Sequence, residues 1–469
     1  MQNNLIIFGT DGVRGPYGQG AVTPENFERI GRAFGEALRQ HHSLKQPSES
    51  GAPQVLLARD TRYSGPLLAD ALSRGLCASG VDVLDAGVLP TSGAAVLLPL
   101  YRAQAAAVIS ASHNPAQDNG VKFFNADGQK IDDALQNEVQ SLLNSAQALK
   151  KPPAEEKDRG AIRPCLGAER QFENFFYRTF MGLSLRSWRV VVDGANGAAS
   201  KIAPRMLRHL GAEVFERACE PDGRNINQNC GATHPEALAQ TVRALKADLG
   251  FAFDGDADRL VVVDHTGAVQ DGDAILYLLT KDRLSTDKEA VAGVVGTAMS
   301  NQGLEKSLLA LGVPLLRTPV GDKYISQALQ HTGWVLGAES SGHILDYSLL
   351  KTGDGLLAAL LVLRALTRTQ ESFAFAVREL EKMPQVTENV RLPQEVLKRW
   401  AWKNSPEWKY QVDQVERQLN DRGRVLVRAS GTEPLIRVMV EAQEAATARA
   451  CAEALARWLR SNAKSAAGQ

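Results

Sequence analysis

Short apolar runs alternate with amphipathic segments along most of the chain. Val55–Ala58, Ala105–Ile109, Arg189–Asp193 and Leu249–Phe253 have the length and composition of buried strands. Between them lie segments with helical periodicity, such as Pro66–Ser79. Strands that alternate with helices predict a parallel sheet covered on both faces.

The pattern changes twice. Lys150–Gly160 is charged, contains prolines and lacks periodicity, which indicates a boundary. From about Glu371 short helices mix with the strands Arg424–Arg428 and Leu435–Glu441, which are joined by a tight loop and favour an antiparallel α+β unit. We therefore expect three related α/β domains at residues 1–155, 156–266 and 267–369, and an α+β domain at 370–469.

Composition narrows the range of partners. Lys plus Arg total 53 and Asp plus Glu total 53, so no net field attracts nucleic acid or an anionic membrane. No apolar run approaches the ~18 residues of a membrane span. The five cysteines form no Cys-x-x-Cys pair, which suits reduced thiols. We expect a cytoplasmic protein with neither nucleic acid nor a membrane as partner.

A candidate reactive loop follows the run Ala105–Ile109. The sequence Ser110-Ala-Ser-His-Asn-Pro115 carries hydroxyl, imidazole and amide groups, and its proline prevents an early helix start. Ser112 lies just beyond the end of the predicted strand, next to His113. Lys122 follows on a short extended segment as a movable cation. Read alone, the loop could also be a well-capped connection.

Three carboxylates at spacing two follow another apolar strand. In an extended chain Asp254, Asp256 and Asp258 would share a face, and carboxylate oxygens suit a hard ion such as Mg²⁺. An EF-hand would need glycine where Arg259 stands and glutamate where His265 stands. A solvated acidic turn is the alternative, but unpaired charge beside a buried strand is costly.

A third polar loop is Gly337-Ala-Glu-Ser-Ser-Gly-His343. Glu339 and Ser341 could bind sugar hydroxyls, and His343 could move a proton near neutral pH. A lone histidine is also often structural, so this loop leaves both readings open.

Two further loops suit anions. Gly9–Gly15 surrounds Arg14 with glycines, although it could also be a tight turn. Between the last two strands, Arg428 and Arg437 flank the small polar residues Ser430, Gly431 and Thr432. So many donors favour a dianionic phosphate.

Taken together and in this order, the four motifs resemble the α-D-phosphohexomutase superfamily. They are Ser-Ala-Ser-His-Asn-Pro, Asp-Gly-Asp-Ala-Asp-Arg, Gly-Ala-Glu-Ser-Ser-Gly-His and Arg-Ala-Ser-Gly-Thr-Glu-Pro, one in each expected domain. The resemblance implies three mixed α/β/α sandwich domains and an α+β domain around a central cleft. It also implies Mg²⁺ and the interconversion of glucosamine 6-phosphate and glucosamine 1-phosphate on the route to UDP-N-acetylglucosamine and the cell wall.

The resemblance assigns roles to the residues. Ser112 would carry a phosphoryl group in the active form and hold one Mg²⁺ together with Asp254, Asp256 and Asp258. Lys122 and His343 would transfer protons. Contacts to the substrate would come from Arg14, His113, Arg259, Glu339, Ser341, Arg428, Ser430, Gly431, Thr432 and Arg437. A homodimer is also implied.

Three alternatives remain from the sequence. A phosphoglucomutase or phosphomannomutase of the same superfamily would share every motif. An aspartyl-phosphate phosphatase would use Asp254 as nucleophile and Asp256 as proton shuttle, but it leaves the Ser112 and Arg428 loops without a role. A non-catalytic sugar-phosphate sensor would not need the carboxylate triplet.

Overall fold

The computed structural model describes residue 6 and residues 12–40, 52–145, 154–287, 290–400, 402–420, 422–429 and 434–467. The chain falls into two compact units. The larger comprises Met1–Thr297 and Thr318–Val377, and the smaller Ala298–Arg317 and Arg378–Gln469. None of the described helices is long and apolar enough to cross a membrane.

Strands are numbered in chain order. They are β1 Val13–Pro16, β2 Gln54–Arg59, β3 Asp82–Val88, β4 Ala105–Ile109, β5 Asp118–Asn125, β6 Ile162–Pro164, β7 Arg189–Asp193, β8 Glu213–Arg217, β9 Leu249–Phe253, β10 Leu260–Asp264, β11 Val269–Gln270, β12 Val294–Thr297, β13 Leu315–Thr318, β14 Leu336–Ala338, β15 Ile344–Asp346, β16 Gln385–Arg391, β17 Gly423–Ala429 and β18 Leu435–Ala442.

Helices of the larger unit span Pro24–Gln40, Gly65–Ala78, Thr91–Tyr101, Asp133–Asn144, Ala168–Thr179, Ala199–His209, Glu236–Leu245, Gly272–Thr286, Asp322–Thr332, Gly355–Thr369 and Phe373–Ala376. Those of the smaller unit span Gln302–Ala310, Gln394–Arg399, Pro406–Leu419 and Ala445–Ala467. Short 3-10 helices span Glu156–Asp158 and Trp402–Asn404.

The first sheet has the strand order β1-β5-β4-β2-β3-β6. Strand β2 pairs in parallel with β3 and β4, and β3 with β6, as predicted. The prediction of a parallel sheet is wrong for β5, which runs antiparallel to both β4 and β1. Residues 110–117 between β4 and β5 are too few for the helical crossover that a parallel pair requires.

An apolar face packs the first helix on this sheet. Phe27, Ile30 and Phe34 recur at helical spacing along Pro24–Gln40 and are fully buried. The ring of Phe34 stacks on Phe123 of β5 with 4.1 Å between centroids. Burial of side chains of this size stabilises the fold by about 1.5–3 kcal/mol each.

Two glycines let this helix cross the helix Gly65–Ala78 at close range. A Cβ atom on Gly75 would fall on the backbone carbonyl of Glu28, and one on Gly31 would fall on the carbonyl of Leu72. The two backbones are therefore in direct contact, and any larger residue at either position would push them apart.

The second sheet has the order β11-β10-β9-β7-β8. Strand β7 is parallel to β8 and β9, whereas β10 folds back antiparallel on β9 with Phe253 opposite Leu260. In the third domain β14 is parallel to β12 and antiparallel to β15, with Ala338 opposite Ile344.

The same local plan therefore occurs three times in the larger unit. A buried strand that is parallel to one neighbour turns back into an antiparallel partner, in the pairs β4–β5, β9–β10 and β14–β15. The connections contain Ser112, the three aspartates, and the segment Glu339–His343 respectively. Each candidate motif thus lies at the carboxyl end of a buried strand, where open α/β sheets commonly bind ligands.

The smaller unit contains an antiparallel sheet of order β16-β18-β17. Its core includes Trp402, Trp408 and the buried face of Ala445–Ala467. This arrangement confirms the predicted α+β unit. The domain boundaries at residues 155, 266 and 369, and the central cleft, stay predictions.

Candidate active site

Ser112 lies buried in the connection between β4 and β5, with 2 % of its surface exposed. Its hydroxyl donates a hydrogen bond to Oδ2 of Asp254 at 2.6 Å, across 142 positions of sequence. Nδ1 of His113 lies 3.3 Å from the same hydroxyl. The structure thus brings the predicted reactive serine into contact with the predicted metal-binding loop.

The carboxylates of Asp254, Asp256 and Asp258 converge in the β9–β10 hairpin. All three are buried, and their ligand atoms lie within 4.8 Å of one another. The expected reason for convergence was wrong, because the segment is a turn and not an extended strand. Ala257 has a φ of 59°, and its amide closes the turn onto the carbonyl of Asp254 at 3.0 Å.

Three buried carboxylates leave negative charge to be balanced. Burial, followed by the charges of Asp258 and Asp256, raises the pKa of Asp254 well above its ordinary value. Oδ1 of Asp256 is buried and has no hydrogen-bond partner in the described part of the chain. Such oxygens, close together and partly unsatisfied, are the ligand set of a hard divalent cation.

Lys122 supplies one positive charge to this cluster. Its Nζ donates to Oδ2 of Asp256 at 2.8 Å and to Oδ2 of Asp258 at 3.0 Å, and only 4 % of the residue is exposed. Burial opposes ionisation of Asp258, but Lys122 and His343 hold its pKa well below the ordinary value. In this structure Lys122, predicted as movable, is fixed between two aspartates.

Thr91, which the sequence did not single out, connects the β9–β10 hairpin to the first domain by hydrogen bonds. Its hydroxyl donates to Oδ2 of Asp256 at 2.6 Å, and its amide donates to the carbonyl of Asp256 at 3.0 Å. The first residue of the helix Thr91–Tyr101 thus orients one of the aspartates from outside its own domain.

Two predicted cations lie around His113. Burial alone would lower the pKa of Arg259, but the charges of Asp254 and Asp258 raise it. The backbone amide of Arg259 also donates to Asp254 at 3.2 Å. Burial, followed by the charges of Arg259 and Arg14, lowers the pKa of His113 to about 4. Arg14 belongs to strand β1, while residues 9–11 at the start of its predicted loop lie outside the described residues.

The third motif forms the turn between β14 and β15. Ser341 donates to Oε2 of Glu339 at 3.2 Å, and the amide of Glu339 donates to the carbonyl of His343 at 3.0 Å. Gly342 has a φ of 96°, and its carbonyl accepts the amide of Leu260 at 2.9 Å. The turn is therefore hydrogen-bonded to the strand that follows the aspartates.

His343 lies between two carboxylates. Its Nδ1 is 3.7 Å from Oδ1 of Asp258, and its Nε2 is 3.5 Å from Oδ2 of Asp322. Burial lowers the pKa of His343, but Asp258, Asp322 and Glu339 outweigh it and raise the pKa to about 9. Asp322 was not predicted, since an acid at the start of a helix is adequately explained by the helix dipole.

The smaller unit contains the predicted phosphate residues Arg428 and Arg437. They are directly opposite one another on β17 and β18, so their side chains leave the same face of the sheet. Ser430, Gly431 and Thr432 lie outside the described residues.

Comparison with known proteins establishes the class. Sequence models of the phosphoglucomutase/phosphomannomutase family match α/β/α domain I at residues 5–150, domain II at 177–267, domain III at 271–383 and the C-terminal domain at 375–457. The chain therefore belongs to the phosphoglucomutase/phosphomannomutase family of α-D-phosphohexomutases, as the motifs predicted.

Within this class, the similar curated relatives are phosphoglucosamine mutases. That of Polaromonas naphthalenivorans is 46% identical over 98% of this chain and 100% of its own length. That of Delftia acidovorans is also 46% identical, over 96% of this chain and 97% of its own.

Solved structures agree on the fold. A phosphoglucomutase/phosphomannomutase family protein from Burkholderia thailandensis matches with a TM-score of 0.79 and 26% identity, over 99% of this chain and 98% of that one. Aspergillus fumigatus N-acetylphosphoglucosamine mutase, in complex with GlcNAc-6P and magnesium, matches with a TM-score of 0.65 and 17% identity over 97% and 95%.

Proposed function

We propose that this protein is an isomerase that interconverts glucosamine 6-phosphate and glucosamine 1-phosphate through a phosphoserine enzyme and a bisphosphate intermediate. One observation carries the proposal: the hydroxyl of Ser112 is 2.6 Å from Asp254, inside a buried cluster of three carboxylates. The identity of the substrate rests on the phosphoglucosamine mutases that are 46% identical over nearly the whole chain.

The cofactor we propose is Mg²⁺. Asp254, Asp256 and Asp258 would hold it together with a phosphoryl oxygen on Ser112, since all of these are the oxygen ligands that Mg²⁺ prefers. When bound, the ion supplies positive charge that offsets charge on the transferring phosphoryl group.

The first transfer breaks the bond between phosphorus and Oγ of phosphorylated Ser112. A new bond forms between phosphorus and a sugar hydroxyl oxygen, whose proton leaves to a base, and the product is a sugar bisphosphate. In the second transfer the other phosphate of the bisphosphate passes to Ser112, and the sugar oxygen that it leaves takes up a proton. Protons and phosphoryl groups balance over the cycle.

His343 and Lys122 are the groups that we assign to proton transfer. A pKa of about 9 keeps His343 protonated at neutral pH, so it is suited to donate a proton to the departing oxygen. Lys122 donates to Oδ2 of Asp258 at 3.0 Å, whereas Nδ1 of His343 lies 3.7 Å from Oδ1 of the same carboxylate.

The remaining predicted residues bind the substrate. His113 lies beside the hydroxyl of Ser112, and the charges of Arg259 and Arg14 act on His113, so these three residues would steady the transferring phosphoryl group. Glu339 and Ser341 would bind sugar hydroxyls, as both are side chains of the same turn. The phosphate group that is not being transferred would be bound by residues of the smaller unit, namely Arg428, Ser430, Gly431, Thr432 and Arg437.

Some expectations stay predictions. These are a homodimer, the cytoplasm as the site of action, and a place on the route to UDP-N-acetylglucosamine and the cell wall. The phosphatase alternative would leave the hydroxyl of Ser112, which donates to Asp254 at 2.6 Å, and the Arg428 loop without a role.

Replacement of Ser112 by alanine tests the proposal. We expect the variant to lose both turnover of glucosamine 6-phosphate, by ~10³-fold or more, and the phosphopeptide seen by mass spectrometry. Ser184→Ala, a change at an exposed serine, is the control and should keep both. Retained turnover in Ser112→Ala, or a hydroxylamine-labile phosphate on an aspartate, would contradict the mechanism.

The substrate is tested separately. Purified enzyme with Mg²⁺ is given glucosamine 6-phosphate, glucose 6-phosphate or mannose 6-phosphate in parallel. We expect the amino sugar to have the highest kcat/KM. A preference for glucose or mannose phosphate would reassign the substrate within the same family.

A further inference from the structure

The backbone of Ser112 has an unusual conformation. Its φ is 51°, in the left-handed region that side chains other than glycine, asparagine and aspartate seldom adopt. Such a conformation costs of the order of 1–3 kcal/mol and persists only where surrounding contacts impose it. Ser112 is buried, and its hydroxyl points at Asp254 in this conformation.

Arg62 imposes the conformation from the first domain. The residue is 1 % exposed and follows strand β2 by three positions. Its guanidinium donates through Nε to Asp60 Oδ2 at 2.8 Å. Nη2 donates to the carbonyls of Ser112 at 2.9 Å and Asn114 at 2.8 Å, and Nη1 to the carbonyls of Asp118 at 2.9 Å and Pro115.

Asn227 contacts the same two carbonyls from the second domain. Its Nδ2 donates to the carbonyl of Ser112 at 2.9 Å and to that of Asn114 at 3.0 Å. The residue is 7 % exposed, and its own amide is fixed on the carbonyl of Ala195 at 2.9 Å. The carbonyl of Ser112 therefore accepts from two domains at once.

We propose that Arg62 and Asn227 are positioning residues for phosphoryl transfer. They share the carbonyl of Ser112 and so set the backbone rotation that points its hydroxyl at Asp254. Neither donates to the hydroxyl, so both act through the serine. The proposal rests on the proposed function, in which Ser112 carries the phosphoryl group.

Geometry explains why positioning should matter here. In-line phosphoryl transfer depends on the alignment of the donor and acceptor oxygens, and a displacement of about 1 Å can lower the rate by ~10²-fold. A residue in the left-handed region relaxes toward ordinary φ when its restraints are removed. That relaxation would move the hydroxyl of Ser112 away from the carboxylates.

Variants at Asn227 provide the test, because its neighbour Asn225 is a matched control. Asn225 donates to the carbonyl of Glu220 at 2.9 Å and does not contact the serine loop through its side chain. Asn227 has a φ of 57°, so Asn227→Gly removes the donor without adding backbone strain. Asn227→Asp keeps the shape but replaces the donor by an acceptor that repels the two carbonyls.

The measurement is the single-turnover rate of phosphoryl transfer from the phosphorylated enzyme to glucosamine 6-phosphate, along with steady-state kcat and KM and the melting temperature. We expect this rate to fall by ~10-fold in Asn227→Gly and by more in Asn227→Asp, with KM within about twofold of wild type. Asn225→Ala should transfer at the wild-type rate. Arg62→Lys should lower the rate further, since a lysine cannot reach all of these carbonyls.

Three results would overturn the inference: an unchanged rate in folded Asn227→Gly and Asn227→Asp, an equal loss in Asn225→Ala, or a loss that appears in KM alone. If Arg62→Lys does not fold, the Asn227 variants alone decide. Failure of the wild-type enzyme to transfer phosphate to the sugar would instead contradict the proposed function.

Discussion

Lys122→Met isolates the charge that this structure places among the aspartates. Methionine keeps the apolar stem of the side chain but removes the ammonium group, which contacts Asp256 at 2.8 Å and Asp258 at 3.0 Å with 4 % of the residue exposed. The variant is left with three buried carboxylates and one fewer neighbouring cation. The loss of one partner from a buried ion pair typically costs ~3–5 kcal/mol.

The pH dependence of this stability loss follows from the pKa of Asp258. Lys122 helps to hold the pKa of Asp258 below its unfolded value, so this stabilisation is present above the unfolded pKa and is lost as pH falls through the folded one. Protonation of a carboxyl group can replace the missing cation in acid. We therefore expect the stability deficit of Lys122→Met to be larger at pH 8 than in acid below the ordinary aspartate pKa of about 4.

Chemical denaturation in EDTA, repeated with Mg²⁺, measures both effects. We expect the free energy of unfolding of Lys122→Met to lie ~3 kcal/mol below that of wild type in EDTA at pH 8. Saturating Mg²⁺ should raise the free energy of unfolding of Lys122→Met above its value in EDTA, because a ligand at 100 times its Kd contributes about 2.7 kcal/mol. Lys201→Met, at an exposed helical position, is the control and should change little. A Lys122→Met variant within ~0.5 kcal/mol of wild type in EDTA would refute this account of the cluster.

Two further variants test the packing and the electrostatics of the larger unit. Gly75→Ala should lower the free energy of unfolding by ~1–3 kcal/mol despite the better helix propensity of alanine, because its Cβ would strike the backbone of Glu28. Gly65→Ala in the same helix is the control. The nearest atom to a Cβ at that position is 3.4 Å away, so this change should not lower the free energy of unfolding. An equally stable Gly75→Ala would contradict the close helix crossing. Burial raises the pKa of Asp354 to about 6, so this carboxyl group ionises at lower pH in the unfolded chain than in the folded one. Its contribution to stability therefore falls by up to ~3 kcal/mol as pH rises from 4 to 6. Asp354→Asn should gain stability relative to wild type over that interval in urea titrations, and parallel pH profiles of the two proteins would disprove the shift.

The sequence predicted those site residues that are marked by a pattern in the neighbouring positions. Ser112 and the three aspartates each follow an apolar run with an abrupt change to polar residues, and this pattern is visible within ten positions. Asp354 caps the helix Gly355–Thr369, since its carboxylate accepts the amide of Leu357 at 2.6 Å.

The residues that were missed act over long distances. Arg62, Thr91 and Asn227 are single polar residues in ordinary surroundings, and their partners are 50, 165 and 115 positions away. Hydrophobic periodicity contains no signal for such pairs, because it reports which face of an element is buried and not what that face meets. The antiparallel pairing of strands β5, β10 and β15 was also missed. The direction of these strands is decided by the short connection before each of them, and hydrophobic periodicity does not report it.

The hydrogen bond between the amide of Leu260 and the carbonyl of Gly342 has a consequence for protein engineering. A Cβ atom on Gly342 would fall on the carbonyl of Leu260, so this glycine cannot be exchanged freely. Attempts to replace the turn Glu339–His343 by that of a relative should therefore retain Gly342 and vary Ser340 or Ser341 instead. Otherwise a change intended for selectivity would also disturb the aspartates in the neighbouring hairpin.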